Sequence, residues 1–125
     1  MELEPYFRSV LELDPMAVVL CSLEHEILYM NPAAMRRYAK RGGAALVGRS
    51  LLACHNEESA RKIAEALAWF SESPEHNRLF TFHHAGDNAD IYMVALRDGA
   101  GRLIGYYEKH ESRILEQAQP YAMGD

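Results

Sequence analysis

The sequence predicts an α+β fold: a five-stranded antiparallel sheet with helices inserted between its second and third strands, and one helix in front of it. Two apolar segments near the start, at 16–21 and 26–30, flank a short polar turn and predict a β-hairpin. Residues 57–70 carry apolar side chains at helical spacing. Three further β-like segments, joined by short turns, predict an antiparallel meander. They are residues 78–85, 91–97 and 103–109.

Length and composition describe a single globular domain. The chain has 125 residues, of which 49% are apolar and 25% charged, a balance that disordered chains lack. A formal charge of −5 argues against the clustered basic surface that nucleic acids require, so no nucleic-acid partner is expected. No apolar run approaches the roughly 20 residues that span a bilayer, so no membrane partner is expected. The acidic start and the two cysteines, which suit neither a disulfide framework nor a zinc site, predict a cytoplasmic protein.

The first 14 residues predict an amphipathic helix. Its apolar side chains recur at helical spacing, and the residue before Pro15 is pushed out of the α region, which ends the helix. The stripe consists of Leu3, Phe7, Val10 and Leu11. So short a helix must bury this stripe somewhere. It packs either on its own domain or on a second copy of the chain, and the second alternative makes the four residues a dimer interface.

Asn31 and Pro32 mark the start of the inserted helices. The asparagine side chain can accept from the free N–H groups of a first helical turn, and proline suits the first helical position because its φ is already helical. A short helix is therefore predicted at 33–40, ending at Gly42 and Gly43. The longer helix from Glu57 to about Phe70 presents one apolar stripe: Ala60, Ile63, Ala64, Leu67 and Phe70.

After the meander, apolar side chains at 114, 115 and 118 predict a short exit helix over 111–119. The remaining tail carries no periodic pattern. These boundaries divide the chain into an N-terminal helix at 1–14, a domain at 15–112, and a short helix with a tail at 113–125.

The order of these parts resembles a PAS domain, the sensor module of bacterial signalling proteins. In that family a strand ends in a phrase matched here by Tyr29, Asn31 and Ala33, and a second phrase before the long helix is matched by Val47, Gly48 and Ser50. The resemblance covers roughly 16–112. The run Gly48–His55, followed by Asn56 to Ser59, is similar to a subgroup with a Gly-Arg-Ser-Leu-Leu-x-Cys-His phrase.

This resemblance implies a ligand cavity between the sheet and the helices. The polar residues to watch are Arg49 and His55. The other residues expected to border the cavity are Met35, Leu51, Leu52, Ile63, Leu67, Phe80, Phe82, Met93 and Tyr107. Alternation along a strand does not decide which face points inward, so Tyr106 competes with Tyr107. For each residue taken singly, the simpler interpretation is that it fills a core.

The sequence does not specify a cofactor. In the light-sensing branch of the family a reactive cysteine forms a flavin adduct, but Leu51 stands at that place and Cys54 is three residues late, so no covalent flavin photoadduct is expected. Haem needs an inward histidine. His55 is the candidate on the helical side, and one of His83 and His84 should face inward because they are adjacent on a strand. Histidines are more often hydrogen-bonded core or surface residues, so haem is not the expected ligand. The histidines form no metal-ligand pattern.

The expected function is a stand-alone sensory or regulatory domain that binds a small ligand and signals as a homodimer or through a separate protein. No kinase, cyclase or DNA-binding unit follows in the sequence. The alternative is a ligand-free interaction module, whose core its own side chains fill. The third alternative is a small enzyme with its active site in the cavity. It ranks last because the spacing of residues in the sequence indicates no nucleophile–base pair. An inward carboxylate beside an inward histidine would favour the enzyme.

Overall fold

The computed structural model describes residues 1–124 and has the predicted α+β architecture. A five-stranded antiparallel sheet has the order β2-β1-β5-β4-β3, and the helices between β2 and β3 cover one of its faces. The strands are β1 (Val18–Ser22), β2 (Ile27–Met30), β3 (Arg78–His84), β4 (Ala89–Arg97) and β5 (Leu103–Ser112). The helices are α1 (Glu4–Glu12), α2 (Pro32–Arg37) and α3 (Glu57–Glu72), with three short 3-10 turns at 39–41, 43–46 and 51–54. Within 1–124, no helix is long and apolar enough to cross a membrane.

Asn31 joins three elements at the N-terminus of α2. Its side-chain oxygen accepts from the N–H of Ala34 at 2.9 Å, which confirms the predicted cap, and also from the N–H of Val18 at 3.0 Å. Its amide nitrogen donates to the carbonyl oxygens of Leu11 and Met16, each at 3.0 Å. The side chain is completely buried. It therefore ties the end of α1 to the start of β1 and to α2.

The buried stripe of α3 differs from the predicted one. Ile63, Ala66 and Phe70 are buried, whereas Ala64 is exposed. Spacing alone allowed either alanine, because both lie within one turn of Ile63. The helix packs its 63–66–70 line on the sheet, which turns Ala64 toward solvent.

The predicted exit helix is wrong. Glu111 and Ser112 continue β5, where they pair with Asp90 and Ala89, and residues 113–124 form no helix. The apolar side chains at 114 and 115 are exposed. These side chains pack on no other part of the domain, and a helix this short is only marginally stable in water unless an apolar face is packed.

Helix α1 has no buried residue. Its last turn is held to the domain, because Tyr29 donates its hydroxyl to Glu12 at 2.8 Å and Lys109 forms an ion pair with Asp14 at 3.1 Å. Phe7 and Val10 are 63% and 72% exposed. Of the four residues of the stripe, only Leu11 is half-buried, whereas Leu3, Phe7 and Val10 do not pack on their own domain.

Candidate functional site

A cleft of about 670 Å³ lies between α3 and strands β3, β4 and β5. Strand alternation and register determine its sheet side: Met93 of β4 lies opposite Glu108 of β5 and Leu79 of β3. The helical side is formed by Ser59, Lys62, Ile63, Glu65, Ala66 and Trp69. The sheet side is formed by Leu79, Phe80, Thr81, Phe82, Ile91, Met93, Tyr106 and Glu108, and the inserted turns add Tyr38, Leu51 and His55.

A smaller cavity of about 290 Å³ adjoins this cleft. It is lined by core residues of β1 and β2 and by Arg41 and Cys54. The residues common to both cavities are Tyr38, Leu51, His55 and Glu108. These four form the wall between the two cavities and therefore stand at the inner end of the cleft.

The cleft contains six of the eleven residues expected to bind a ligand. They are Leu51, His55, Ile63, Phe80, Phe82 and Met93. Tyr106 rather than Tyr107 lines it, because Tyr107 pairs with Leu20 on the opposite face of the sheet. Met35, Leu52 and Leu67 instead pack against the core, and Arg49 is exposed.

The histidine positions differ in part from expectation. His55 does line the cleft, and its Nδ1 donates to the Leu51 carbonyl at 2.8 Å. His84 pairs with the buried Ala89, on the face of the sheet that carries Ile91 and Met93, so one of the two histidines does face the helices as predicted, but neither lines the cleft. His83 pairs with Asp90 at 2.6 Å on the exposed side. Strand β3 is an edge strand, and its register shift lies between Phe80 and Phe82, before the two histidines.

Glu108 is the acidic group at the inner end of the cleft. Its Oε1 accepts from the Tyr38 hydroxyl at 2.7 Å and from Nε2 of His110 at 3.0 Å. Burial acts to raise the pKa of Glu108, but the hydrogen bonds from His110 and Tyr38 outweigh it, and the pKa lies below its ordinary value. Burial and the nearby carboxylate raise the pKa of Tyr38. Tyr38 therefore stays a neutral donor and Glu108 a carboxylate.

The pair of Glu108 and His110 bears on the enzyme alternative. Glu108 opens on the cleft, but His110 is only 1% exposed and does not line it. A histidine sealed in this way has no contact with a molecule in the cleft, and proton transfer requires hydrogen-bond reach. Of this pair, only the Glu108 carboxylate can therefore contact a molecule in the cleft.

A second polar contact lies beside the cleft. The hydroxyl of Tyr106 is 2.8 Å from Nδ1 of His25, and the Cys21 thiol is a further neighbour of Tyr106. Burial raises the pKa of Cys21 to about 12. The thiol therefore stays protonated and is a poor nucleophile. Within residues 1–124, no cluster of three His, Cys, Asp or Glu side chains could hold a metal ion.

Comparisons with known proteins agree with this architecture. The family model described as PAS fold matches residues 11–109. The PAS domain of a Colwellia psychrerythraea protein has 11% identity and a TM-score of 0.65, with 89% of this chain and 97% of that chain covered. The PAS domain of Bordetella pertussis BvgS has 18% identity and a TM-score of 0.60, with 90% and 87% covered.

A third similar structure is the Vibrio cholerae Aer2 receptor, described as a dual PAS-heme oxygen sensor. It has 19% identity and a TM-score of 0.56, with 79% of this chain and 95% of that chain covered. No curated protein matches the chain significantly. Identities this low establish the fold alone, whereas the family model covers most of the sequence. This chain belongs to the PAS-fold family.

Proposed function

We propose that this chain is a sensory PAS domain that binds a small organic ligand in the cleft between α3 and the sheet. The supporting observation is the cleft itself, which combines apolar walls with a few convergent polar groups at its inner end. This combination is typical of small-molecule sites. The sensor acts without catalysis of its own and in the cytoplasm, a reducing compartment suited to its free cysteines.

Closing the cleft with a bulky side chain is expected to abolish ligand binding. Ser59 lines the cleft from the first turn of α3 and is outside the buried core, so Ser59→Trp blocks the opening with little effect on folding. Native mass spectrometry and a UV–visible spectrum of protein purified without added cofactor are expected to show a retained small molecule. Ser59→Trp should lose it, and Ala64→Trp on the exposed side of the same helix should keep it.

A retained haem would be recognised by its Soret band, and loss of the band in His55→Ala would identify the axial ligand. A weakly held ligand is tested by titrating phenylpropanol while observing the methyl resonances of Ile63 and Met93. If no small molecule is retained and phenylpropanol leaves these resonances unchanged, the proposed ligand site is wrong.

We further propose that α1 pairs with α1 of a second copy, which gives the sensor a dimer through which to signal. The helix is tied to the domain at its last turn, yet three of the four side chains of the predicted stripe, Leu3, Phe7 and Val10, are exposed. Leu11 is half-buried. A helix that is fixed to its domain and exposes an apolar face can pair with the same helix of a second copy, because a two-fold axis places the same surface patch of each protomer in contact. A separate signalling protein is the other route for the signal.

Val10→Asp is expected to shift the protein from dimer to monomer. A charge at the centre of the helix contact would have to be desolvated on pairing, and the dissociation constant should rise at least about tenfold. Sedimentation velocity measures the change, with Arg8→Ala on the charged side of α1 as the control. A monomeric wild type, or equal dimerisation of both variants, would contradict the proposal. A dimer whose cleft binds nothing would favour the ligand-free interaction module.

A further inference from the structure

We infer that the cleft selects ligands that carry a cationic hydrogen-bond donor, such as an ammonium or amidinium group, on an apolar body. The donor binds Oε2 of Glu108, and the body lies between α3 and the sheet. This inference rests on the proposed function and specifies the chemical class of its ligand. It follows from how the carboxylate of Glu108 is held, from the charge around it, and from the shape of the walls.

The two oxygens of Glu108 have different surroundings. Oε1 accepts both available hydrogen bonds, from Tyr38 at 2.7 Å and from His110 at 3.0 Å, while Oε2 accepts none from the residues the structure describes. Within residues 1–124, every buried side-chain oxygen or nitrogen has a hydrogen-bond partner. Oε2 is therefore accessible, in keeping with a side chain that is 21% exposed and that lines the cleft as well as the smaller cavity.

Tyr38 and His110 also fix the direction of the carboxylate. Two donors on one oxygen hold the group in a single orientation, so its second oxygen is presented to a ligand without further ordering. A preorganised acceptor loses little side-chain entropy on binding. A donor on the ligand would then complete the hydrogen bonding of the carboxylate.

The other charges that line the cleft do not offset Glu108. Lys62 and Glu65 lie on the outer part of α3, are largely exposed, and approach opposite charges of their own helix, Glu58 and Arg61 respectively. Their formal charges cancel and leave the carboxylate of Glu108 as the inner charge. A ligand cation gains from this charge in a partly desolvated site, whereas an anion placed there would be repelled.

The rest of the cleft suits an apolar body. Ile63, Ala66, Leu79, Ile91 and Met93 border it, and the volume of about 670 Å³ lies within the range of small-molecule sites. These side chains offer no hydrogen bond that would orient a second polar group. The polar groups of the outer walls are partly engaged elsewhere: Thr81 donates to the Ile91 carbonyl, and Lys62 and Glu65 approach opposite charges of α3. The inner end, where Glu108 lies, therefore contributes most to selectivity.

Three probes with one body and different head groups test the inference: phenylpropylamine, phenylpropanol and phenylpropionate. Binding is measured from methyl resonances of Ile63 and Met93 during titration. Phenylpropylamine should bind about tenfold more tightly than phenylpropanol, the ratio expected for one hydrogen bond to a charged group, and phenylpropionate should bind most weakly. Glu108→Gln keeps an oxygen for Tyr38 and His110 but removes the charge, so the preference for the amine should disappear.

Glu72→Gln is the matched control, because it removes an exposed carboxylate of α3 that does not line the cleft, and it should preserve the preference. Equal binding of the three probes to the wild-type protein would overturn the inference and leave the proposed ligand site in place. Binding of none would overturn both. The comparison among probes uses the wild type alone, so it remains decisive even if Glu108→Gln fails to fold.

Discussion

Replacement of Asn31 by alanine is expected to lower the free energy of unfolding by about 3–5 kcal/mol. The buried side chain makes four hydrogen bonds of about 3 Å, to the N–H groups of Val18 and Ala34 and to the carbonyls of Leu11 and Met16, and a longer one of 3.4 Å to the carbonyl of Asp14. Each bond contributes about 1 kcal/mol, and each buried partner left without one costs more. Water that enters the space left by the side chain can bond to some of these partners and recovers part of the loss. The total loss in unfolding free energy therefore stays near the upper end of the values found for single substitutions.

Asn56→Ala is the matched control for this experiment. Asn56 is also an asparagine N-cap, since it accepts from the N–H of Ser59 at 2.8 Å at the start of α3. It is exposed and ties no second element, so its loss should cost about 1 kcal/mol. Urea unfolding followed by circular dichroism compares the two variants. Equal losses would mean that the bonds from Asn31 to α1 and β1 add nothing to stability.

Asn31→Asp separates the two roles of the residue. It keeps the side-chain oxygen that accepts from the N–H groups of Val18 and Ala34, and hence the cap, but it replaces the amide donor with an oxygen that faces the carbonyls of Leu11 and Met16. We expect this variant to lose the tie to α1 and to remain strongly destabilised. Recovery to the stability of the wild type would show that capping is the main contribution of Asn31.

Asn31 also illustrates what the sequence predicts and what it does not. An asparagine followed by proline is a local signal for a helix start, and its cap was predicted correctly. Its bonds to Leu11, Met16 and Val18 depend on where α1 and β1 lie after folding, and no local pattern encodes them. The order of strands and helices was predictable for the same reason as the cap, because periodicity and turn residues act over short distances.

The residues at the inner end of the cleft could not be predicted from the sequence for a similar reason: their positions depend on long-range pairing. A glutamate in a terminal strand is usually exposed, and neither Glu108 nor Tyr38 was expected at the site. The register that pairs Met93 with Glu108 and Cys21 with Tyr106 turns Glu108 inward, and a shift of one residue would have turned it outward. One signal was available: Tyr106 and Glu108 share a face of β5, so choosing Tyr106 would have placed Glu108 beside it.

Replacement of Gly105 by alanine is expected to cost about 3 kcal/mol and to disturb the cleft. A Cβ atom at this position would collide with the carbonyl oxygen of Cys21, and the next nearest atoms are also backbone atoms of β1. Backbone in the middle of a sheet cannot rotate away as a side chain can, so β1 and β5 must separate. Overpacking of this kind typically costs 1–3 kcal/mol, and a clash with backbone belongs at the upper end.

The same displacement should reach the ligand site, because Tyr106 and Glu108 follow Gly105 along β5. Amide resonances of both residues should shift in Gly105→Ala, and the melting temperature should fall. Gly99→Ala is the control: it lies in the turn before β5, its Cβ would meet no atom within 4 Å, and its backbone needs no positive φ. Its stability should stay within about 0.5 kcal/mol of the wild type. If Gly105→Ala were equally mild, β1 and β5 would have to lie farther apart in solution than the structure places them.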